Sequence, residues 1–235
     1  IKVGMLIVET LDTRAVGYAQ TGGAVAVALD RIADEHLLDG YNFTFLPRTT
    51  DCMDLLTVGA MIEFVQKENV HAVLGPPCGG LMAATFSTAY NLPLFTWGYT
   101  FSADLTNVIR YPYVATITAT SLSLGYAFIK LAEIMKWDRF GLLYSRDEVN
   151  YCENIAAASD LNTYQTNMVY RAVLDESNNV TYYARMQNVR ERARIIVVCL
   201  SSGPVKRRFF ARAATLGMAT NEYVYVLLEL KGVGF

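Results

Sequence analysis

Four cysteines, Cys52, Cys78, Cys152 and Cys199, are the residues whose type and spacing speak first to chemistry. No two lie at C-x-x-C spacing, so neither a zinc ribbon nor a thioredoxin-like redox pair is written here. An even number of well-spread thiols reads as two disulfides, bonds that persist outside the reducing cytosol. Four cysteines permit three pairings, and the residues alone leave all three open. Two N-glycosylation acceptors agree with that compartment. Asn42-Phe43-Thr44 stands at the start of an edge-like strand, and Asn179-Val180-Thr181 in the polar loop opened by Glu176-Ser177-Asn178.

Other chemistry is thinly represented. The two histidines, His36 and His71, lie in no H-E-x-x-H or other recognisable motif, and no G-x-S-x-G is present. The turn Gly75-Pro76-Pro77-Cys78-Gly79-Gly80 has the position of a phosphate loop, after a strand and before a helix. It lacks the Lys-Ser/Thr pair, and its two prolines remove backbone donors that would cradle a phosphate. The acidic pairs Asp34-Glu35, Asp147-Glu148 and Asp175-Glu176 read as solvated charge at helix ends and loops, not as metal ligands for phosphoryl chemistry. The chain is therefore expected to bind no metal and no nucleotide and to carry no catalytic residue.

The elements that must position these residues follow from composition and periodicity. With 235 residues, 53% of them hydrophobic, the chain can bury one large or two small cores. Its longest run without Asp, Glu, Lys or Arg, residues 72–103, is broken by Pro76, Pro77, Pro93 and several glycines. A membrane-spanning helix needs about 20 continuous apolar residues, so the run reads as strand and helix segments instead. Ile1-Lys2-Val3 opens a strand pattern rather than a signal peptide. Net charge is −2, which argues against a nucleic-acid partner. Residues 1–117 are acidic. Residues 118–235 are basic, with Arg185, Arg190, Arg192, Arg194, Lys206, Arg207, Arg208 and Arg212 concentrated there. Those cations read as solvated helix faces, with attraction of an acidic ligand as the sharper alternative.

Strand and helix alternate almost without interruption. Strands are expected over residues 2–9, 41–47, 71–75 and 94–97, with helices over 22–35, 55–68 and 81–90 between them. A loop over 98–113 interrupts the rhythm. A helix over 121–135 restarts it, with strands over 140–144, 168–173, 195–200 and 223–228 and helices over 152–164, 181–191 and 205–216. Single helices between strands imply βαβ units and parallel sheets. A lobe boundary is expected near residue 117, giving lobe 1 over 1–117 and a partial lobe 2 over 118–235.

Six segments stand out in order: Tyr41-Asn42-Phe43-Thr44-Phe45, Gly75-Pro76-Pro77-Cys78, Leu92-Pro93-Leu94-Phe95-Thr96-Trp97-Gly98, Ser123-Leu124-Gly125-Tyr126-Ala127-Phe128, Lys136-Trp137-Asp138-Arg139-Phe140 and Thr220-Asn221-Glu222-Tyr223-Val224-Tyr225-Val226. Together they resemble the extracellular ligand-binding region of receptor-type guanylyl cyclases, nearest to the nematode sensory group, with natriuretic peptide receptors more distant.

The resemblance implies a two-lobed, periplasmic-binding-protein-like α/β fold of type I, incomplete at its C-terminal side. It also implies the disulfide pairing Cys52–Cys78 and Cys152–Cys199. The expected function is ligand sensing outside a single-pass receptor, with occupancy rearranging a homo- or heterodimer and so controlling cGMP synthesis by an intracellular domain. The alternative is a solute- or amino-acid-binding domain of the same fold from another receptor class. The natriuretic relatives hold chloride on the backbone amides of a Gly-Pro-Gly-Cys turn, and Pro77 removes one such amide here.

Open α/β folds bind ligands beyond the carboxyl ends of their strands. Thr13, Gly79, Trp97 and Tyr99 of lobe 1, with Ser145 and Ser201 of lobe 2, are the expected contacts. The ligand is a small molecule or a peptide, reached in the interlobe cleft or on a dimer surface.

Overall fold

The computed structural model describes residues 1–9, 16–100, 102–146, 152–153, 156, 167–200 and 204–228. They fall into two compact units, Ile1–Thr120 and Ser121–Phe235.

Unit 1 runs β1 (Lys2–Ile7), α1 (Tyr18–Thr21), α2 (Gly23–Asp34), β2 (Thr44–Thr49), α3 (Asp54–Glu63), β3 (Ala72–Leu74), α4 (Leu81–Tyr90), β4 (Leu94–Thr96) and β5 (Val114–Thr116). The expected helix over 55–68 changes character at Phe64, where a π-turn, Phe64–Glu68, finishes it with Asn69 in the left-handed region. The strand β5 falls between the expected loop over 98–113 and the helix over 121–135, where no element was expected. It is three residues long and flanked by Pro112 and the polar Thr118–Thr120 segment, with no apolar run to mark it. All pairings are parallel, in the order β2-β1-β3-β4-β5, with Lys2 opposite Thr44 through to Ile7 opposite Thr49. Pro47 sits in β2, the edge strand, where a missing N–H breaks no ladder.

The alternation of β1 separates the two faces of this sheet. Leu6 joins the core built with Met61, Phe64, Val73, Ala84 and Leu94 beneath α3 and α4. Gly4 belongs to the same face, since a Cβ there would lie 2.7 Å from the Phe64 ring. Val3, Met5 and Ile7 face the other way. Opposite them stands α2, whose Val25, Leu29 and Ile32 recur at helical spacing, yet none of its residues is buried. An apolar cavity of about 650 Å³ separates the helix from the sheet.

Unit 2 runs α5 (Ser121–Met135), β6 (Arg139–Ser145), β7 (Asn167–Leu174), α6 (Asn179–Arg192), β8 (Ile195–Cys199), α7 (Pro204–Thr215) and β9 (Val224–Leu227). The helix expected over 152–164 lies largely outside the described residues, of which Cys152, Glu153 and Ala156 are helical. The sheet is parallel, in the order β7-β6-β8-β9. Central β6 and β8 are buried on both faces, as their unbroken apolar runs require. Tyr182, Met186 and Val189 of α6 enter a core with Leu143, Ile196, Val198 and Phe209. Gly141 makes that close approach possible, because a Cβ there would lie 2.4 Å from Val189 Cγ2. Burial pushes the Tyr225 phenol up to about 12, and its hydroxyl donates to the Met218 carbonyl at 3.0 Å.

Candidate functional site

At the carboxyl edge of the unit-1 sheet, two turns are locked together. Gly75 has φ +94°, and a Cβ there would stand 2.4 Å from the Leu6 carbonyl oxygen, so only glycine lets the chain leave β3 this way. Gly98 has φ +70°, and its missing Cβ would meet the Pro77 oxygen at 2.6 Å. The Tyr99 N–H donates to that same Pro77 oxygen at 2.6 Å, and Cys78 and Tyr99 form a parallel bridge. Thr100 closes the second turn, its Oγ1 donating to the Trp97 carbonyl at 2.9 Å.

The Cys52–Cys78 disulfide, with a Cα–Cα distance of 5.3 Å, ties these turns to the loop after β2. Beside Cys52, Asp51 Oδ1 accepts the Glu9 N–H at 2.8 Å, and Glu9 Oε2 accepts from Thr49 Oγ1 at 2.6 Å. The loops leaving β1, β2, β3 and β4 are thus cross-linked into one platform.

Gly79, Trp97 and Tyr99 are brought together on it. Gly79 is exposed, in the left-handed region at φ +73°. Trp97 and Tyr99 are half-buried, and Trp97 lines the apolar cavity beneath α2. Thr13 lies outside the described residues. The opening of the 75–80 turn does not fit an anion cradle. The Gly75 N–H is taken up by the Phe95 carbonyl at 2.8 Å, and Pro76 and Pro77 have none to offer.

In unit 2 the corresponding edge holds a polar pocket of about 440 Å³ at the ends of β6 and β7. Ser145, Arg146, Asp175, Glu176, Arg185 and Val205 are among its lining residues. Ser145 is buried, and Ser201 lies outside the described residues. The second disulfide, Cys152–Cys199 with Cα atoms 5.5 Å apart, fastens the segment after β6 to the end of β8.

The pocket's carboxylates already have partners. Ser177 holds the Asp175 pKa down, its hydroxyl donating at 2.7 Å and its N–H at 2.9 Å. The Arg208 guanidinium holds Glu176 below its ordinary range, with Arg212 assisting. Arg185 donates to the Val173 carbonyl, and Arg146 to Glu153 at 3.0 Å.

Sequence reasoning grouped Arg185, Arg208 and Arg212 as basic helix faces, with attraction of an acidic ligand as the alternative. It missed that Arg212 lies over the buried Tyr182 ring at 4.2 Å and couples α6 to α7. The pair Arg194 and Glu222, and Arg192 over the Tyr170 ring at 5.3 Å, take up further cations of the same run. Of the acidic pairs, Asp34-Glu35 ends α2 with Glu35 bound to Arg31 at 2.5 Å, and Asp147-Glu148 lies outside the described residues. Among the described residues no group of three His, Cys, Asp or Glu side chains converges, and no helix is long and apolar enough to cross a membrane.

Comparison with known proteins places this geometry. Receptor-type guanylate cyclase gcy-4 of Caenorhabditis elegans is 34% identical over all of this chain and 21% of its own length. The gcy-4 of Caenorhabditis briggsae is 32% identical, again over the whole chain and 21% of that protein. Receptor-type guanylate cyclase gcy-14 of Caenorhabditis elegans is 34% identical over the whole chain and 22% of its length. The chain therefore spans about a fifth of the curated relatives it matches. The profile described as receptor family ligand binding region matches residues 20–231. Two parallel sheets flanked by helices agree with the periplasmic-binding-protein-like type I fold of such regions, and the chain belongs to the receptor-family ligand-binding regions.

Proposed function

We propose that this chain is the ligand-sensing part of a receptor guanylate cyclase, held on the extracellular side of the plasma membrane. Its occupancy sets the geometry of a dimer and thereby cGMP production by a domain elsewhere in the receptor. The observation that carries the reading is similarity to receptor-type guanylate cyclases along the entire chain, confined to a fifth of their length. The two disulfides support the extracellular side.

Ligand contacts are assigned to Gly79, Trp97 and Tyr99 on the unit-1 platform and to Ser145 in the unit-2 pocket, with Thr13 and Ser201 completing the set. Aromatic rings beside an exposed glycine offer stacking surface with close backbone approach. Self-association is assigned to the helices of unit 1. The α2 and α4 surfaces leave Val27, Met82 and Tyr90 exposed, and α3 adds Leu55 and Ile62 on either side of Gly59, which has open space at its Cβ position.

The test is a chimera in which this chain replaces the matching region of gcy-4, displayed on cells and assayed for cGMP against a panel of small molecules and peptides. A ligand-dependent change in cGMP, lost in Trp97→Ala and Tyr99→Ala at unchanged surface expression, is expected. A chain that binds an amino acid or other solute while cGMP stays insensitive overturns the cyclase reading in favour of a solute-binding domain of the same fold. Sedimentation of a complete ectodomain as monomer at high concentration overturns the dimer.

A further inference from the structure

We infer that the polar pocket of unit 2 holds a free α-amino acid, its ammonium group on Asp175 and its carboxylate among Arg146, Arg185 and the first turn of α7. The inference rests on the ligand-sensing reading above and narrows it to one chemical class of ligand.

The charges that line this pocket are fixed in place but not paired with one another. Ser177 pins the Asp175 carboxylate through Oδ1, which accepts the backbone N–H at 2.9 Å and the hydroxyl at 2.7 Å. Among the described residues, Oδ2 has no partner. Arg185 commits one donor to the Val173 carbonyl, and Arg146 commits Nε to Glu153 at 3.0 Å. A guanidinium carries several N–H donors, so most of both remain open. The fields of Arg185 and Arg146 add to the Ser177 bonds in holding the Asp175 pKa down. Neither guanidinium forms an ion pair with that carboxylate, however, and a pocket of about 440 Å³ is lined by all three groups.

Glu176 does not compete for a ligand, because Arg208 and Arg212 hold it. Arg212 also donates to Asn179 Oδ1 at 2.9 Å. Asn179 opens α6, with Asn178 as its cap, and does not stand in the loop that its polar neighbours imply. The clamp leaves one open carboxylate facing two open guanidinium groups. Val205, in the first turn of α7, lines the same pocket. A helix start brings N–H groups with no partner inside the helix, together with the positive end of its dipole.

A simple anion in this pocket would meet the Asp175 carboxylate, and a simple cation would meet two guanidinium groups. A zwitterion satisfies both signs at once, through charge-assisted bonds at each end. Ser145 adds a hydroxyl, and Val173 and Val205 give the ligand side chain an apolar wall. Small-molecule pockets run from about 300 to 1,000 Å³, so this one suits a single amino acid better than a folded peptide.

The experiment is calorimetric titration of the whole disulfide-bonded chain with each of the common L-amino acids. The amide and the deaminated acid of the tightest binder follow. At least one amino acid is expected to bind, and each analogue to bind about tenfold or more weakly. Asp175→Asn keeps the acceptor for Ser177, and Arg146→Gln alters a side chain that is 76% exposed, so neither threatens the fold. Both should weaken binding to a similar degree. Binding that survives both variants, or equal binding of either analogue, overturns the assignment. So does the absence of binding by any amino acid to a chain with both disulfides formed. In the gcy-4 chimera, a response to some other ligand alone overturns the amino-acid proposal and leaves the receptor reading standing. Binding that depends on Asp175 and Arg146 without any change in cGMP overturns the receptor reading and leaves the site standing.

Discussion

Two helices spell the same apolar stripe and end differently. Val25, Leu29 and Ile32 on α2 recur at the same intervals as Tyr182, Met186 and Val189 on α6. The α6 residues are fully buried, whereas no α2 residue is. The α2 helix is the more apolar of the two, so hydrophobicity does not explain which one seats. Three structural differences do. Long side chains at 182 and 186 reach the core, while α2 offers shorter aliphatics and alanines. Gly141 opens the sheet to Val189. The α6 end is capped by Asn178 and clamped through Glu176, Arg208 and Arg212, whereas Gly22 gives α2 no side-chain cap. Amphipathic spacing names the face that a helix turns inward, but not how closely it packs.

The largest test of this contrast removes the covalent ties of one unit at a time. The disulfides close loops of 26 and 47 residues. In the chain-entropy model, replacing both cysteines by serine should cost about 3.5 kcal/mol for Cys52–Cys78 and about 4 kcal/mol for Cys152–Cys199. Urea unfolding of the two double variants checks this. Equal loss of structure in both units from either variant would show that the units do not unfold separately.

Core truncation comes next. Met186→Ala should cost about 2–5 kcal/mol, as fully buried methionines do. Leu29→Ala on α2, half-exposed over the cavity, should cost less than about 1 kcal/mol. Comparable shifts in denaturation midpoint would mean that α2 is seated in solution.

Adding volume should act in opposite directions. Gly141→Ala pushes a methyl into Val189 and is expected to destabilise by about 1–3 kcal/mol. Ala28→Leu adds apolar volume to the α2 cavity and should stabilise by about 1 kcal/mol, raising the melting temperature.

The smallest effect concerns the clamp. Arg208 depresses the Glu176 pKa, so its contribution is present above the ordinary carboxylate pKa and is lost as pH falls through the folded value. Arg208 is well exposed, and Arg208→Ala should lower the denaturation midpoint only slightly near neutrality. The difference from wild type should vanish in acid, which paired denaturation curves at the two pH values would show.

Strand–helix alternation made the fold legible, because parallel strands buried on both faces leave continuous apolar runs such as residues 195–200 and each crossover needs a helix. The three-residue β5 was not legible, because Val114-Ala115-Thr116 lies in a Thr- and Ser-rich stretch with no apolar run to mark it, whereas the equally short β3 and β4 sit in apolar runs bounded by turns. Asn178 and Asn179 read as loop because polar residues favour turns and helix caps alike, and only the backbone distinguishes them.

Chain order and residue type by themselves determined a strand–helix alternation interrupted once, two cysteines on either side of that interruption, and turns after the strands. Tertiary structure alone decided that Tyr99, Pro77 and Cys78 form one platform, that Arg212 bridges Tyr182, Glu176 and Asn179, and that α2 stands off its sheet. Sequence periodicity reports which side of an element is apolar. Contacts between residues distant in sequence depend on side-chain volume, glycine gaps and cross-links that no local window contains.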